Sequence, residues 1–216
     1  MIEAEQRSPE WLAARAGRLT ASEAYDITAK LKDGKTFSSS RYNKMVEKAV
    51  ERLTGQPMES TFTNDAMQWG IEWEPAAFGA YEALTGQMAQ RVGFVAHEDL
   101  AIGCSPDGII GDFVGGLELK CPQKGTHYGY WRGDRAVPSK YLPQLLHSLW
   151  VTGAEYWDWM SYHPQFPPHM QTVYVHVERT AVEKELDAYI KTAKAFLAEV
   201  ETEVAACKGW SVMEAV

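Results

Sequence analysis

Gly115-Gly116-Leu117-Glu118-Leu119-Lys120-Cys121-Pro122 is the stretch that decides the reading of this chain. In an extended strand successive side chains alternate faces, so Leu117 and Leu119 point into a core while Glu118 and Lys120 share the opposite face. A charged pair on one strand face needs a partner or a task. Upstream lies Ser105-Pro106-Asp107-Gly108. If the residues between Asp107 and Glu118 fold as a hairpin, Asp107 returns beside Glu118, and two carboxylates and a lysine share one pocket. Such a pocket suits a hard cation, Mg²⁺ with Mn²⁺ as a substitute, which takes one or two carboxylates plus waters and phosphate oxygens. A lysine beside it can orient or help deprotonate a water. Taken singly, Ser-Pro-Asp-Gly also reads as an ordinary β-turn and Glu-Leu-Lys as a solvated strand face.

With 216 residues the chain is expected to form a single domain spanning 1–216, and a 45% hydrophobic composition with 8 Trp and 10 Tyr is enough for a core. No run approaches the roughly 18 apolar residues of a membrane span. Met1 is followed by polar, acidic sequence rather than a secretory signal. Cys104, Cys121 and Cys207 have neither the number nor the spacing of a disulfide framework or a zinc or iron–sulfur site. A cytoplasmic protein without a membrane partner is expected. The net charge of −8 is unevenly spread: residues 56–117 hold 1 basic and 9 acidic side chains, whereas residues 1–55 hold 10 basic and 8 acidic, and residues 118–140 hold 5 and 2. The acid is densest at the candidate metal carboxylates, and both flanks are basic. A nucleic acid bound there would be held with modest, salt-sensitive affinity.

Along the chain, Ser8-Pro9-Glu10 signals a helix start, and a second short helix follows Thr20 and Ser22. Residues 39–53 read as a helix stopped by Gly55. A helix is expected from about Ile71 to Leu84, with Pro75 in its first turn and Gly86 closing it. Strands are expected at 91–96, 100–104, 108–114 and 117–121. A helix opens at Pro138 and runs through Trp150, strands follow at 156–162 and 172–177, and a long amphipathic helix begins at Thr180. The order predicts a mixed α/β (α+β) domain with a central sheet, extra N-terminal helices and a long C-terminal helix.

Other constellations fall around the strand. Glu74, in Trp69-Gly70-Ile71-Glu72-Trp73-Glu74, can add a third carboxylate through a water, or can be a first-turn acid on the helix dipole as Glu72 is. Tyr141, Gln144 and Ser148 share one helix face, from which Gln144 can donate to a phosphate oxygen or to the attacking water. Arg15, Ser22 and Ser105 can meet at a phosphate, Arg by bidentate contact and the hydroxyls by single bonds. Lys30, Lys32 and Lys35 form a DNA-gripping or merely solvated loop. Trp131, Trp157 and Trp159 read as core. Cys121 with His127 or His147 would be needed for a cysteine hydrolase, but the strand alternation turns Cys121 away from Glu118. Neither a nucleophile elbow nor a phosphate-binding P-loop motif occurs.

Trp11-x-x-x-Arg15-x-Gly17, Leu19-Thr20-Ala21-Ser22-Glu23, Trp69-Gly70-x-x-x-Glu74, Cys104-Ser105-Pro106-Asp107-Gly108, Gly116 to Pro122 and Tyr141-x-x-Gln144-x-x-x-Ser148-x-Trp150-Val151-Thr152 occur in that order. The ordered set, from about Trp11 to Trp159, resembles the phage lambda-type exonucleases, the YqaJ-type viral recombinase family, within the restriction-endonuclease-like PD-(D/E)xK nucleases. The resemblance implies a restriction-endonuclease-like core with a central mixed sheet flanked by helices. It implies a Mg²⁺-dependent enzyme that digests one strand of linear double-stranded DNA from 5′-phosphate ends to mononucleotides. The 3′ single strand left behind would pass to a single-strand annealing protein for recombination. A homotrimeric ring, and a phage or prophage origin in a bacterial cytoplasm, are also implied. Carried over, Asp107, Glu118 and the Leu119 carbonyl hold metal, Lys120 positions the water, and Glu74 and Gln144 assist. Arg15, Ser22 and Ser105 hold the 5′ phosphate, and Lys30, Lys32, Lys35 and Tyr141 contact DNA. Lys32 stands where the family has an arginine that enters the minor groove, and His97 where it has a carboxylate. Two other readings are a different endonuclease of the same fold, which would cut closed circles, and a non-catalytic DNA-end-binding scaffold.

Overall fold

A computed structural model describes residues 2–58, 64–134 and 136–208. α1 (Pro9–Arg15) starts as its sequence dictates: Ser8 Oγ accepts the Trp11 N–H at 3.2 Å, and Pro9 occupies the first position, where no helical N–H bond is lost. β1 (Leu19–Thr20), a 3-10 turn at Ala21–Glu23 and α2 (Ala24–Thr28) follow. A loop closed by the Lys30–Phe37 bridge leads to α3 (Ser39–Thr54), ended by Gly55 in the left-handed conformation that favours glycine. Then come α4 (Asp65–Thr85), β2 (Ala89–Gln90), β3 (Val95–Ala96), β4 (Ile102–Cys104), β5 (Gly108–Ile110), β6 (Gly115–Lys120), α5 (Lys124–Arg132), α6 (Leu142–Thr152), β7 (Tyr156–Tyr162), β8 (Thr172–Glu178) and α7 (Glu183–Lys208).

The mixed α/β architecture and the long C-terminal helix are as expected, but the strands form two sheets. One has five strands in the order β2-β5-β6-β7-β8 and the other three in the order β1-β4-β3. β6 is antiparallel to β5 and parallel to β7, with Leu117 opposite Gly108 and Glu118 opposite Trp159. α4 covers one face of the larger sheet, packing Ala77 and Tyr81 on Leu117, Leu119 and Met160. α6 covers the other, packing Leu145 and Leu149 on Trp157 and Trp159. α7 lies against α2, α3 and α6 in a separate cluster that includes Tyr189, Ala193 and Phe196. Both faces of β6 are therefore covered, and Glu118 is only 5% exposed.

Several boundaries differ from the sequence reading. α4 begins at Asp65, because Asn64 Oδ1 accepts the Met67 N–H at 2.9 Å, so Pro75 lies inside the helix rather than in its first turn. Its ring is on the exposed side, while Ala77 and Tyr81 bury the other face and hold the helix through the missing bond. α6 begins at Leu142: Pro138 accepts the Tyr141 N–H in a turn, and Pro143 sits in the first helical turn instead. The strand expected at 108–114 ends at Ile110, where Gly111, Asp112 and Phe113 all have positive φ and turn the chain into β6. Of the run expected at 91–96 only Val95–Ala96 is a strand, β3 on β4, while the strand on β5 is the earlier Ala89–Gln90. Gly115 and Gly116 are needed for close approach, since a Cβ on Gly116 would stand 2.2 Å from the Trp157 ring. Among the described residues no helix is long and apolar enough to cross a membrane.

Candidate active site

β5 starts at Gly108, opposite Leu117, so β6 runs past the end of its neighbour. Asp107 fills the gap. Its backbone N–H donates to the Leu117 carbonyl at 3.1 Å, and its Oδ2 accepts the Leu119 N–H at 2.6 Å. Within one residue of a strand the N–H and C=O leave on the same edge, so the Leu119 carbonyl faces the side that Asp107 occupies. Glu118 Oε1 accepts from the Lys120 ammonium and from Gln144 Nε2, the latter at 2.7 Å. The hairpin return, the shared face of Glu118 and Lys120, and the inward aim of Gln144 from α6 thus come together at the C-terminal end of β6.

Asp107, Glu118, Leu119 and Lys120 line a recess of about 480 Å³ with Arg7, Met67, Ile71, Glu74 and Tyr141, and Gln144 joins them through its bond to Glu118. The Lys120 ammonium lies 5.0 Å from the Tyr141 ring centre, and Lys140 lies 4.6 Å from the same ring. Glu74 reaches the recess, but its carboxylate is held by Arg91 at 2.8 Å and faces Arg7 at 3.7 Å. Burial, reinforced by Glu118 and Glu74 and opposed by Lys120, pushes the Asp107 carboxyl well above the usual range. Burial works to lower the Lys120 ammonium, yet Glu118 and Asp107 outweigh it and raise it. The site thus gathers buried carboxyl oxygens around a single lysine, a donor set of hard oxygens that fits a divalent cation. Among the described residues no group of three or more His, Cys, Asp or Glu side chains is arranged to hold an ion alone. Asp107, Glu118 and the Leu119 carbonyl would therefore share an ion with waters and substrate oxygens.

A second cluster adjoins the first through Ser105. Trp11 Nε1 donates to Ser105 Oγ at 2.8 Å, and the Arg15 guanidinium lies 4.0 Å from the Trp11 ring centre. Arg15 Nη2 donates to Thr20 Oγ1 at 3.3 Å and Ser22 Oγ at 3.4 Å. The three residues proposed for a phosphate are thus brought together, with Trp11 linking Ser105 to Arg15. Thr20, part of the same cluster, is absent from the sequence-derived set. Its only signal was the hydroxyl two residues before Ser22. Arg7 and Arg91 were also missed, because nothing in the sequence ties either to Glu74.

Lys30, Lys32 and Lys35 are not among the residues that line the recess. Lys32 and Lys35 are exposed, and Asp33 fixes the turn by accepting from Lys35 N, Thr36 N and the Thr36 hydroxyl. Lys30 lies over Phe37 at 5.6 Å. His97 Nδ1 accepts the Asp99 N–H at 3.1 Å and so serves the β3–β4 turn. Trp157 and Trp159 are buried core residues. The Cys121 thiol packs with the Leu117 and Leu119 cluster, and burial followed by Asp107 pushes it up to about 12, which leaves little thiolate for nucleophilic attack.

Residues 10–155 match the YqaJ-like viral recombinase domain, and the chain belongs to that family. The solved structure of an alkaline exonuclease (LHK-Exo) from Laribacter hongkongensis is 35% identical. The alignment covers 93% of this chain and 96% of that one, with a TM-score of 0.79. LHK-Exo has also been solved in complex with dAMP. A phage-related exonuclease from Haemophilus somnus 129PT, 15% identical with a TM-score of 0.66, shares the fold. No curated protein matches the chain.

Proposed function

We propose that this protein is a divalent-metal-dependent exonuclease. It digests one strand of linear duplex DNA from a 5′-phosphate end, releases mononucleotides and leaves a 3′ single strand for a single-strand annealing protein. The observation that carries the reading is the convergence of Asp107, Glu118 and Lys120 in one recess, with Gln144 bonded to Glu118 and the Arg15 cluster adjoining through Ser105. Family membership and the likeness to LHK-Exo support a nuclease. The dAMP complex of that relative fits a mononucleotide product.

A Mg²⁺ or Mn²⁺ ion at Asp107, Glu118 and the Leu119 carbonyl would supply Lewis acidity toward the scissile phosphate and its attacking water. Lys120 and Gln144, both donating to Glu118 Oε1, would position that water. Arg15, Ser22 and Ser105 bind the terminal phosphate, which orients the first phosphodiester and sets the direction of travel. Lys30, Lys32 and Lys35 contact the duplex, and Tyr141 forms the recess wall over Lys120. A homotrimeric ring around the duplex belongs to the same reading, as does action in the cytoplasm of a phage-infected or lysogenic bacterium.

The test is linear duplex labelled at the 5′ or 3′ end, with and without Mg²⁺, beside closed circular DNA. The expected result is Mg²⁺-dependent release of the 5′ label as mononucleotide with circles intact. Cut circles would assign an endonuclease of the same fold, and binding without release would assign a scaffold.

A further inference from the structure

α3 carries a charge network that the proposed reaction does not use. Lys48 is 1% exposed, with its ammonium 2.8 Å from Glu23 Oε1 and 2.9 Å from Glu51 Oε2. Both acids are buried as well. Ions buried this deeply lose hydration that their mutual attraction returns only in part, and apolar side chains of similar size would pack as well. The outer bonds of the network indicate its task. Glu23 Oε2 accepts the Thr20 N–H at 2.9 Å and the Thr20 hydroxyl at 2.8 Å. Glu51 Oε2 accepts the Gly17 N–H at 2.8 Å, and Arg52 Nε donates to the Gly17 carbonyl at 2.7 Å. Gly17 has φ +71°, and a Cβ there would meet Arg52 Cγ at 2.7 Å. Both ends of the segment joining Arg15 to Ser22 are thereby fastened to α3.

The polarity of these bonds follows from proton counting. An ionised carboxylate only accepts, so the single Thr20 hydroxyl proton points at Glu23. The oxygen lone pairs then face Arg15 Nη2 at 3.3 Å and Ser22 Oγ at 3.2 Å. Burial raises the Glu23 carboxyl, but Lys48 and then Lys44 outweigh it and hold it at about 2, so this orientation persists at neutral pH.

We infer that the buried Glu23–Lys48 pair is a positioning device for terminal-phosphate recognition: it fixes the direction of the Thr20 hydroxyl and hence the aim of the Arg15 guanidinium. The pair would set discrimination between 5′-phosphate and 5′-hydroxyl ends without touching DNA. The inference rests on the assignment of Arg15, Ser22 and Ser105 to the 5′ phosphate.

The experiment compares kcat/KM on linear duplexes bearing 5′-phosphate or 5′-hydroxyl ends. The principal variant combines Glu23→Met with Lys48→Met on a Glu51→Gln background, which removes the acceptor facing the Thr20 hydroxyl and leaves no member of the Glu23, Lys48 and Glu51 set as an unpaired ion. Its preference for phosphate should fall about tenfold, the worth of one charge-assisted hydrogen bond, while hydroxyl ends are cut within about threefold of wild type. Thr20→Val should lose the preference similarly, and Thr20→Ser, which keeps the hydroxyl, should retain it. A folded combined variant with the wild-type ratio would overturn the inference, as would equal losses on both ends, which a purely structural role produces. If the combined variant does not fold, Thr20→Val decides, and a retained preference there rejects the idea. A wild-type enzyme indifferent to the end group would instead sink the phosphate assignment itself.

Discussion

Replacing Lys120 with Met removes the ammonium and keeps most of the side chain. The Glu118 side chain is 7% exposed, and it would retain only Gln144, at 2.7 Å, of the two donors on its Oε1. Breaking a buried pair from one side costs about 3–5 kcal/mol. Lys120 is itself 23% exposed and the Gln144 bond remains, so a loss of about 2–3 kcal/mol is expected. Activity should fall further than stability explains, by about 10²–10⁴-fold, the usual contribution of a positioned proton-transfer group. The two losses can be separated. Adding Glu118→Gln neutralises the orphaned charge and should return stability to within about 1 kcal/mol of wild type. Cleavage should stay lost, since a candidate metal carboxylate is then gone. Urea midpoints and mononucleotide release in Mg²⁺ measure the two effects. Turnover of the single variant within about tenfold of wild type would remove Lys120 from the chemistry. A double variant no more stable than the single one would refute the charge argument.

Arg15→Ala should cut the preference for 5′-phosphorylated ends by about tenfold or more, read as the ratio of degradation rates on phosphorylated and hydroxyl ends. His147 is buried, with Nδ1 2.7 Å from the Tyr189 hydroxyl and Nε2 3.1 Å from the Gly103 carbonyl, and burial lowers its pKa to about 4. The unfolded chain therefore binds a proton that the folded chain refuses, and stability should decline by about 3 kcal/mol as pH falls from about 6.5 to about 4. A His147→Gln variant should flatten that part of the urea-midpoint profile. Gly116→Ala should cost about 1–3 kcal/mol, seen as a lower thermal midpoint, because its methyl group meets the fully buried Trp157 ring. Chelation of divalent ions should stop nucleotide release, and added Mg²⁺ should restore it.

The site was more legible in the sequence than the frame that carries it. Strand alternation is local, so Glu118, Lys120, Leu117 and Leu119 could be placed from their spacing alone, and the turn at Asp107 lay within hairpin reach. The long-range partners were not local. Arg91 on Glu74 and Lys48 on Glu23 join residues 17 and 25 positions apart through packing that no short motif encodes. The start of α4 was misplaced because Pro75 suggested a first turn, whereas the capping Asn64 lay upstream of the apolar run. The division of the expected sheet in two was equally hidden. β1 contributes only Leu19 and Thr20, too short for any periodicity, yet pairing with Ile102 and Gly103 places Thr20 beside the Arg15 cluster.

What fixes the chemistry is a difference in strand length. Because β5 stops opposite Leu117, the next N–H on that edge of β6 has no strand to meet, and the Asp107 carboxylate accepts it. Asp107 is thus both a substitute for strand pairing and a candidate metal ligand, and its position depends on register. A slip of β6 by one residue would turn Glu118 and Lys120 toward Ala77 and Tyr81 and expel Leu117 and Leu119 from that cluster. The flat contacts of Gly115 on Tyr156 and Gly116 on Trp157 oppose such a slip, since any larger residue drawn into either place would strike an aromatic ring. The two glycines that open the motif therefore protect the alignment of the acid and the lysine that follow them. Gly116→Ala should accordingly loosen the Asp107–Leu119 bond, so amide exchange at Leu119 should quicken more than at residues of α7. Equal acceleration at both places would mean that the glycine serves only global stability.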